Sequence, residues 1–268
     1  MYLILLFFGV LTGMTTVLFG FGGGFVVVPV LYSVLQAAYG TDSAVGRAAM
    51  HIAVATSTCV MIFGAFLATL RHHRAGTVHW DLVRPLAACI AAGALLGAVA
   101  ALAVAGDWVR WVFIAYLGLT ILDSLLRPGF LRKSAAEIRP MSGTATAFAG
   151  ISIGAIAAFL GVGGSVMTVP LMRRRGASMT AATAMANPLS LPMAVAGTAA
   201  YMLLAWRGAS LGAWHVGYVD LRACLVLVSG SWLGIRLASP WIGKIPDAVH
   251  AKVYIALLCA ALLVMLWA

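Results

Sequence analysis

The sequence predicts an all-α, polytopic membrane protein, and its composition and apolar runs are the grounds for this. Of the 268 residues, 63% are hydrophobic and only 9% are charged, and the mean hydropathy is +1.04. A soluble domain, in which about a quarter of the residues are charged, could not cover so much apolar surface. The apolar runs are continuous and lack the alternation of membrane-barrel strands, so spanning helices are expected.

Long uncharged runs locate the spans. Charged residues are absent from 1–41, 85–106, 140–172 and 176–206. Each run is long enough to cross a hydrocarbon core of ~30 Å, which takes about 20 helical residues. The predicted helices are 2–19, 25–38, 44–70, 81–105, 108–126, 142–160, 166–175, 180–206, 215–238 and 247–267.

An internal repeat divides the single membrane domain, 1–268, into two related halves, 1–135 and 140–268. The segments GFGGGFVVVPVL at 20–31 and GVGGSVMTVPLM at 161–172 are identical at five of twelve positions. A polar stretch separates the halves. A duplicated segment of this kind is typical of transporters built from two structural repeats.

Weaker similarities follow in the same order in both halves. Gly93-x-x-x-Gly97 in the first half matches Gly230-x-x-x-Gly234 in the second. Small residues at this spacing let membrane helices approach closely, so each pair predicts a tight helix crossing.

The two glycine motifs are expected to reverse the chain. A straight helix over 2–38 would be about 55 Å long at 1.5 Å per residue, nearly twice the hydrocarbon thickness. If both motifs reverse the chain, thirteen of the 17 Lys and Arg residues gather on one side of the membrane. The positive-inside rule favours this arrangement, which puts both termini outside and inverts one half relative to the other.

The pair of glycine motifs is the strongest candidate for a site. Glycine lets the backbone leave helical geometry and lets a ligand approach closely. Pro29 and Pro170 disfavour helix at the valines before them. A helix that restarts after such a break presents free N–H groups and the positive end of its dipole, which together bind anions. The alternative is that these glycines only pack helices together.

Polar side chains in the helix after each motif are the second candidate. Buried polar groups in a membrane are costly and usually face the protein interior. Asn187-Pro188 predicts a second break, and Arg47 is the basic residue expected to contact a substrate, with an interfacial arginine as the alternative. The predicted substrate-binding residues are Gly20, Gly22, Gly23, Gly24, Arg47, Thr56, Ser57, Gly161, Gly163, Gly164, Ser165, Asn187 and Ser190.

Several other functions find no support in the sequence. The four cysteines lie singly inside apolar runs, so neither a disulfide framework nor a metal site is expected. His72, His73 and His79 lie in a basic loop and are expected at the surface. The glycine motifs do not complete a dinucleotide fingerprint or a nucleophile elbow, so no cofactor and no enzyme are predicted. The net charge of +10 is attributed to loops and an anionic substrate rather than to nucleic acid.

The duplicated motif G-x-G-G-[GS]-x-x-x-x-P-x-[LM], at Gly20–Leu31 and Gly161–Met172, resembles that of the TauE/SafE family of sulfite exporters and toluene-sulfonate uptake permeases. The resemblance extends over essentially the whole chain. It implies a permease of the bacterial inner membrane that moves sulfite, sulfonates or related carboxylates, with the glycine motifs as its transport site. The second half departs from the first at Ala186-Asn187-Pro188, where the first half has Ala53–Ser57, so strict equivalence of the halves is not expected.

The sequence thus predicts a secondary transporter of small organic or sulfur-containing anions, such as sulfite or sulfoacetate, that works by alternating access. Its partners are the anion and the lipid bilayer, with no nucleic acid, and a homodimer is left open. A passive anion channel and a membrane scaffold subunit without transport activity are the alternatives.

Overall fold

The computed structural model describes residues 2–21, 23–126, 138, 141–204, 211–212 and 214–267. The first half contains helices α1 (Tyr2–Phe19), α2 (Gly24–Tyr39), α3 (Ala44–Arg47), α4 (Ala49–Arg74), α5 (Trp80–Leu102) and α6 (Gly106–Leu126). The second half contains α7 (Gly143–Leu160), α8 (Ser165–Arg174), α9 (Met179–Leu204), strands β1 (His215–Val216) and β2 (Val219–Asp220), then α10 (Leu221–Ala238) and α11 (Asp247–Trp267).

The helices confirm the predicted fold class. Within the part of the chain that the structure describes, seven helices are long and apolar enough to cross a membrane, namely α1, α4, α5, α6, α7, α10 and α11. Helix α2 is a shorter apolar helix of 16 residues. The protein is therefore an all-α, multi-pass membrane protein.

The first glycine motif reverses the direction of the chain. His72, near the C-terminal end of α4, bonds the carbonyl oxygen of Val17 in the last turn of α1. Gln36, near the end of α2, donates to the carbonyl oxygen of Gly46, just before α4 begins. Helices α1 and α2 therefore end at opposite ends of α4 and run antiparallel to one another.

The second glycine motif does the same. Arg174, at the end of α8, pairs with Asp123, near the end of α6. Arg175 lines the same groove as Gly143, where α7 begins. Helix α8 thus ends beside the start of α7, so these two helices are antiparallel as well.

The two halves interlock through their first helices. Helix α1, the first helix of the first half, packs along α10 of the second half, and α7, the first helix of the second half, packs along α5 of the first. Helices α5 and α10 hold equivalent positions in the two halves, since each carries a Gly-x-x-x-Gly pair. Helices α4 and α9 contact each other between these two crossings. This reciprocal exchange is what a two-fold relation between the halves produces; the inversion of the halves across a membrane stays a prediction.

Glycines let the helix backbones touch at the α1–α10 crossing. A Cβ atom placed on Gly13 would lie 2.1 Å from the carbonyl oxygen of Ser231, and one on Gly234 would lie 2.0 Å from that of Val10. Van der Waals contact begins near 3.4 Å. No side chain larger than hydrogen fits at these positions without separating the two helices.

The α5–α7 crossing has the same construction. A Cβ atom on Gly97 would lie 1.9 Å from the carbonyl oxygen of Ala155, and one on Gly154 would lie 2.0 Å from that of Ile90. The prediction that the Gly-x-x-x-Gly spacings of α5 and α10 mark tight crossings is confirmed.

A short hairpin replaces the beginning of the predicted helix 215–238. Strands β1 and β2 pair through Val216 and Val219, and α10 begins only at Leu221. The carboxylate of Asp220 accepts hydrogen bonds from the amides of Arg222 and Ala223 at 2.9 and 3.1 Å. This N-cap fixes the start of α10 six residues later than predicted.

The predicted break at Asn187-Pro188 is wrong, because α9 continues through Pro188 and Pro192. The side-chain amide of Asn187 donates to the carbonyl of Thr183 at 3.3 Å, and the Ser190 hydroxyl donates to the carbonyl of Ala186 at 2.9 Å. Both bonds lie within α9 and end on carbonyls before Pro188, and membrane helices tolerate proline where nearby polar groups and packing compensate. The valines before Pro29 and Pro170 are likewise helical, contrary to expectation.

One end of the bundle, which we call the basic end, carries nine of the Lys and Arg residues that the structure describes. They are Arg71, Arg74, Arg84, Arg173, Arg174, Arg175, Arg236, Lys244 and Lys252. The opposite end carries Arg47, Arg110 and Arg222. The remaining basic residues of the sequence, Arg127, Arg132, Lys133, Arg139 and Arg207, lie outside the described residues. The uneven distribution predicts that the basic end faces the cytoplasm.

Thiol labelling checks this orientation. In a variant without the native cysteines, Ala75→Cys and Ala248→Cys, both exposed at the basic end, should resist a membrane-impermeant maleimide in intact cells. Ala105→Cys, exposed at the opposite end, should react. Inside-out vesicles should give the reverse pattern. Labelling of Ala75→Cys from outside while Ala248→Cys stays protected would show that the halves are not oriented as predicted.

Candidate functional site

The two glycine motifs meet each other between α4 and α9. Gly20 and Gly161 adopt left-handed backbone conformations, with φ of 74° and 66°, and these end α1 and α7. A Cβ atom on Gly24 would lie 2.2 Å from the carbonyl oxygen of Gly161, and one on Gly163 would lie 2.9 Å from that of Phe21. The two non-helical segments therefore touch through their backbones.

Each glycine motif is held by the long helix of the other half. The Cβ position of Gly20 is 3.0 Å from the carbonyl oxygen of Thr183 on α9, and that of Gly161 is 2.7 Å from the Cα of Val54 on α4. The hydroxyl of Ser57 on α4 donates to the carbonyl oxygen of Gly161 at 2.8 Å. Movement of either break would thus displace a helix of the opposite half.

Two serine hydroxyls lie beside the second break. The Oγ atoms of Ser165 and Ser190 are each 3.1 Å from the Cβ position of Gly163, and both residues are fully buried. Ser165 is the first residue of α8, so its amide and that of Gly164 come before the helix can supply acceptors for them. Amides at a helix start are donors of the kind that bind anions. The hydroxyls of Ser165 and Ser190 donate to the carbonyl oxygens of Gly163 and Ala186 in this conformation.

Unpartnered polar atoms lie around the first break. Among the described residues, the hydroxyls of Thr12, Thr183 and Ser231 and the amide oxygen of Asn187 are buried without a hydrogen-bond partner. The methyl group of Thr12 is 3.0 Å from the Cβ position of Gly23. An unsatisfied buried polar group costs about 1–3 kcal/mol, so these four atoms need partners that the described residues do not supply.

The second break lacks an equivalent polar group. Ile153 takes the place of Thr12, since its methyl carbon is 3.0 Å from the Cβ position of Gly164, just as Thr12 is from Gly23. Ala94 takes the place of Ser231, because each residue follows the first glycine of its Gly-x-x-x-Gly pair. The free polar atoms therefore lie on the side of the first break, and the halves are chemically unequal.

Two of the predicted site residues, Arg47 and Thr56, make hydrogen bonds to backbone groups outside the glycine motifs. Arg47 is exposed on α3, and its guanidinium donates to the backbone oxygen of Asp42. The structure does not bring Arg47 to the glycine motifs. The hydroxyl of Thr56 is buried and accepts the amide of Asp220 at 3.0 Å, which holds the start of α10. Gly22 lies outside the described residues.

One of the three loop histidines is not at the surface. His73 and His79 are exposed as predicted, whereas His72 is 1% exposed. Helix α4 continues to Arg74, so His72 belongs to its last turn and points inward. The helix predicted from the sequence ends at residue 70, which leaves His72 in the following loop.

Across the described residues, no group of three or more His, Cys, Asp or Glu side chains could hold a metal ion. The side chains beside the two breaks are Ser, Thr and Asn, which are neutral. The positive ends of two helix dipoles point toward these neutral side chains.

Comparison with known proteins agrees with this architecture. The family profile described as "Sulfite exporter TauE/SafE" matches residues 5–265. A "Probable membrane transporter protein" from Haemophilus influenzae is 24% identical over 253 residues, which are 93% of this chain and 92% of the relative.

Two further relatives are longer proteins. They are named "Probable membrane transporter protein MamO" and come from Paramagnetospirillum magneticum and Magnetospirillum gryphiswaldense, with 28% and 27% identity. The match takes in 78% of this chain but only 37% of each of those proteins. No solved structure matches the chain. The family match over nearly the whole length decides the assignment: the chain belongs to the sulfite exporter TauE/SafE family of membrane transporters.

Proposed function

We propose that this protein is a secondary transporter that carries a small oxyanion across the bacterial inner membrane by alternating access. The expected substrates are sulfite, a sulfonate such as sulfoacetate, or a related carboxylate. One observation carries the proposal: two broken helices meet at the centre of the fold and bring amide and hydroxyl donors together there.

The chemistry of these donors supports an anionic substrate. Helices α2 and α8 begin at the breaks with the positive ends of their dipoles. The hydroxyls of Ser57, Ser165 and Ser190 donate to backbone carbonyls in this closed conformation and turn to the anion when it binds. A sulfite, sulfonate or carboxylate group presents two or three oxygens that accept several of these hydrogen bonds at once. Hydrogen bonds to a charged group contribute roughly 1.5–3 kcal/mol each.

Burial of the breaks supports a carrier over a channel. Every described residue of the two glycine segments, 20–24 and 161–165, is buried, so neither solution reaches the donors in this conformation. A channel requires a continuous wet path, whereas a carrier passes through a closed state of this kind. The unpartnered polar atoms near Gly23 argue against a scaffold, because packing alone gains nothing from leaving them unsatisfied.

The proposal predicts selective binding of anions. Sulfite, sulfoacetate or acetate should stabilise the purified protein against heat, since a ligand at about a hundred times its Kd adds roughly 2.7 kcal/mol of stability. Titration calorimetry should show at least about tenfold weaker binding of the amide or alcohol analogue, because one charged hydrogen bond is worth that factor. Nickel and cobalt ions serve as the control and should not bind.

Transport in proteoliposomes completes the test. Radiolabelled anion that binds in calorimetry should accumulate without single-channel current steps in planar bilayers. Equal affinity for an anion and its neutral analogue, or specific binding of a divalent cation, would refute the anion carrier. Discrete current steps would identify a channel instead.

A further inference from the structure

Two buried histidines hold the end of α1 immediately before the first glycine motif. The Nε2 atom of His72 on α4 is 2.7 Å from the carbonyl oxygen of Val17, and that of His250 on α11 is 2.6 Å from the carbonyl oxygen of Leu18. The two histidines are 1% and 3% exposed. Because a carbonyl oxygen can only accept, each Nε2 carries a hydrogen and donates it.

The other ring nitrogens of the two histidines differ. In a neutral histidine that is protonated at Nε2, Nδ1 is a free acceptor. Nδ1 of His72 lies 2.9 Å from the hydroxyl of Thr77. Nδ1 of His250 is buried and has no hydrogen-bond partner among the described residues. His250 therefore presents a basic nitrogen that nothing in this closed arrangement uses.

Charged groups surround His250 without neutralising it. Arg173 on α8 pairs with Asp247, three residues before His250 on α11, at 2.8 Å, so their charges largely offset one another. His72 faces it from α4. Helix α1 contributes the edge-on ring of Phe19, 4.8 Å between centroids, and α9 contributes the uncharged Thr180. A proton on His250 would discourage a second one on His72, since like charges this close repel.

We propose that His72 and His250, which we call the histidine latch, form a proton-binding site, and that the proton is the coupling ion. This inference rests on the transporter function proposed above. A proton from the solution at the basic end binds Nδ1 of His250 and converts the ring to an imidazolium. The new N–H has no acceptor in the closed arrangement, and a buried charged donor without a partner is strongly unfavourable.

Protonation therefore favours an arrangement in which this N–H meets water, with the basic end opened around His250. Loss of the proton restores the neutral ring and the closed latch. The two histidines of the latch donate hydrogen bonds to the carbonyl oxygens of Val17 and Leu18. These residues lie three and two positions before Gly20, whose left-handed conformation ends α1. Opening at the latch and movement of the first glycine motif are thus linked, and linkage is reciprocal: the conformation that exposes the site at this end also binds the proton more tightly.

A reporter in the latch cavity tests the inference without any substrate. Thr180 lines the small cavity that His72 and His250 share, so Thr180→Cys in a cysteine-free variant reports its accessibility. Its maleimide labelling rate, corrected for the thiolate fraction with a free-thiol standard, should rise at least about tenfold between about pH 8 and about pH 5.5, on either side of the ordinary histidine range. His250→Gln keeps an N–H donor for Leu18 but cannot be protonated, and should make the profile flat.

His51→Gln is the matched control. His51 is also buried, and its Nε2 lies 3.1 Å from the carbonyl oxygen of Ala101, but it lies at the opposite end of the bundle. This variant should keep the wild-type pH profile. A flat wild-type profile, or an unchanged profile in His250→Gln, overturns the inference.

Histidine-selective nitrogen NMR of the wild-type protein provides a second readout, which needs no foldable variant. It should show one buried imidazole whose Nδ1 gains a proton over the same pH range as labelling increases; the absence of any such ring overturns the inference. The two proposals fail separately. Anion binding with a flat labelling profile refutes the latch alone, and a pH-dependent profile without anion binding refutes the proposed substrate.

Discussion

Replacement of Gly97 by alanine should lower the apparent melting temperature of the detergent-solubilised protein by roughly 2–12 °C. The added Cβ would lie 1.9 Å from the carbonyl oxygen of Ala155, and both atoms belong to rigid helices, so α5 and α7 must separate along their crossing. Overpacking of this kind costs about 1–3 kcal/mol, and one kcal/mol shifts the melting of a chain of this size by roughly 2–4 °C. Leucine at the same position should prevent recovery of monodisperse protein.

The chain offers a matched pair of comparisons for this prediction. Gly234→Ala, whose Cβ would lie 2.0 Å from the carbonyl oxygen of Val10, should cause a similar loss at the α1–α10 crossing. Gly118 on α6 has no atom within 4 Å of its Cβ position, so Gly118→Ala and Gly118→Leu should leave melting and elution volume unchanged. If Gly97→Ala has the same melting temperature as the wild-type protein, the two crossings are not the rigid contacts described.

The membrane explains why so much of the fold could be predicted. In lipid, a spanning segment must satisfy its own backbone, so an uncharged run of sufficient length is a helix almost regardless of its detailed sequence. Helix α1 and the antiparallel reversals at both glycine motifs followed from run length and charge alone. The packing of each half's first helix against the other half could not be predicted in this way. A Gly-x-x-x-Gly spacing predicts a tight crossing but does not identify the partner helix.

Local chemistry explains the errors at element ends and at Asn187. The predicted helix 44–70 begins at Ala44 as expected, where Ser43 caps α3 through the amide of Gly46, but the helix is interrupted at Ala48 and resumes as α4 at Ala49. Asn187-Pro188 has the composition of a break. Whether a proline interrupts a helix depends on whether its surroundings compensate for the lost N–H, and α9 stays helical through both prolines while it packs against α4, α5 and α8.

The candidate site was predictable where it is duplicated and unpredictable where it is not. The glycines and Ser165 stand out because two copies of one motif coincide. Thr12 and Ser231 do not, because a hydroxyl in an apolar helix commonly bonds its own backbone, as Thr15 and Thr16 do. Only the three-dimensional packing shows which hydroxyls lack partners. Arg47 was favoured for its charge, yet its place on α3 turns it toward Asp42 and away from the breaks.

Gly163→Leu should abolish anion uptake into proteoliposomes, to below about one hundredth of the wild-type rate, since loss of two charged hydrogen bonds at 1.5–3 kcal/mol each exceeds that factor. The Cβ position of Gly163 is 3.1 Å from both the Ser165 and Ser190 hydroxyls, so a leucine side chain would fill the space where those donors converge. Ser190→Ala, which removes one donor and leaves the backbone unchanged, should reduce uptake by about tenfold or more.

The control for this prediction is a substitution at Gly197, a buried glycine of α9. A Cβ atom on Gly197 would lie 3.5 Å from the nearest atom, the Cγ2 of Thr58, an ordinary contact, so Gly197→Ala should transport sulfite at close to the wild-type rate. A Cβ atom on Gly163 would lie 2.9 Å from the backbone carbonyl oxygen of Phe21, so Gly163→Ala also strains the contact between the breaks. Ser190→Ala leaves the backbone unchanged and keeps the experiment decisive if the glycine variants do not fold. Full transport by both Gly163→Ala and Ser190→Ala would place the anion elsewhere. Folded but inactive variants, with Gly197→Ala active, would place it at the meeting point of the two breaks.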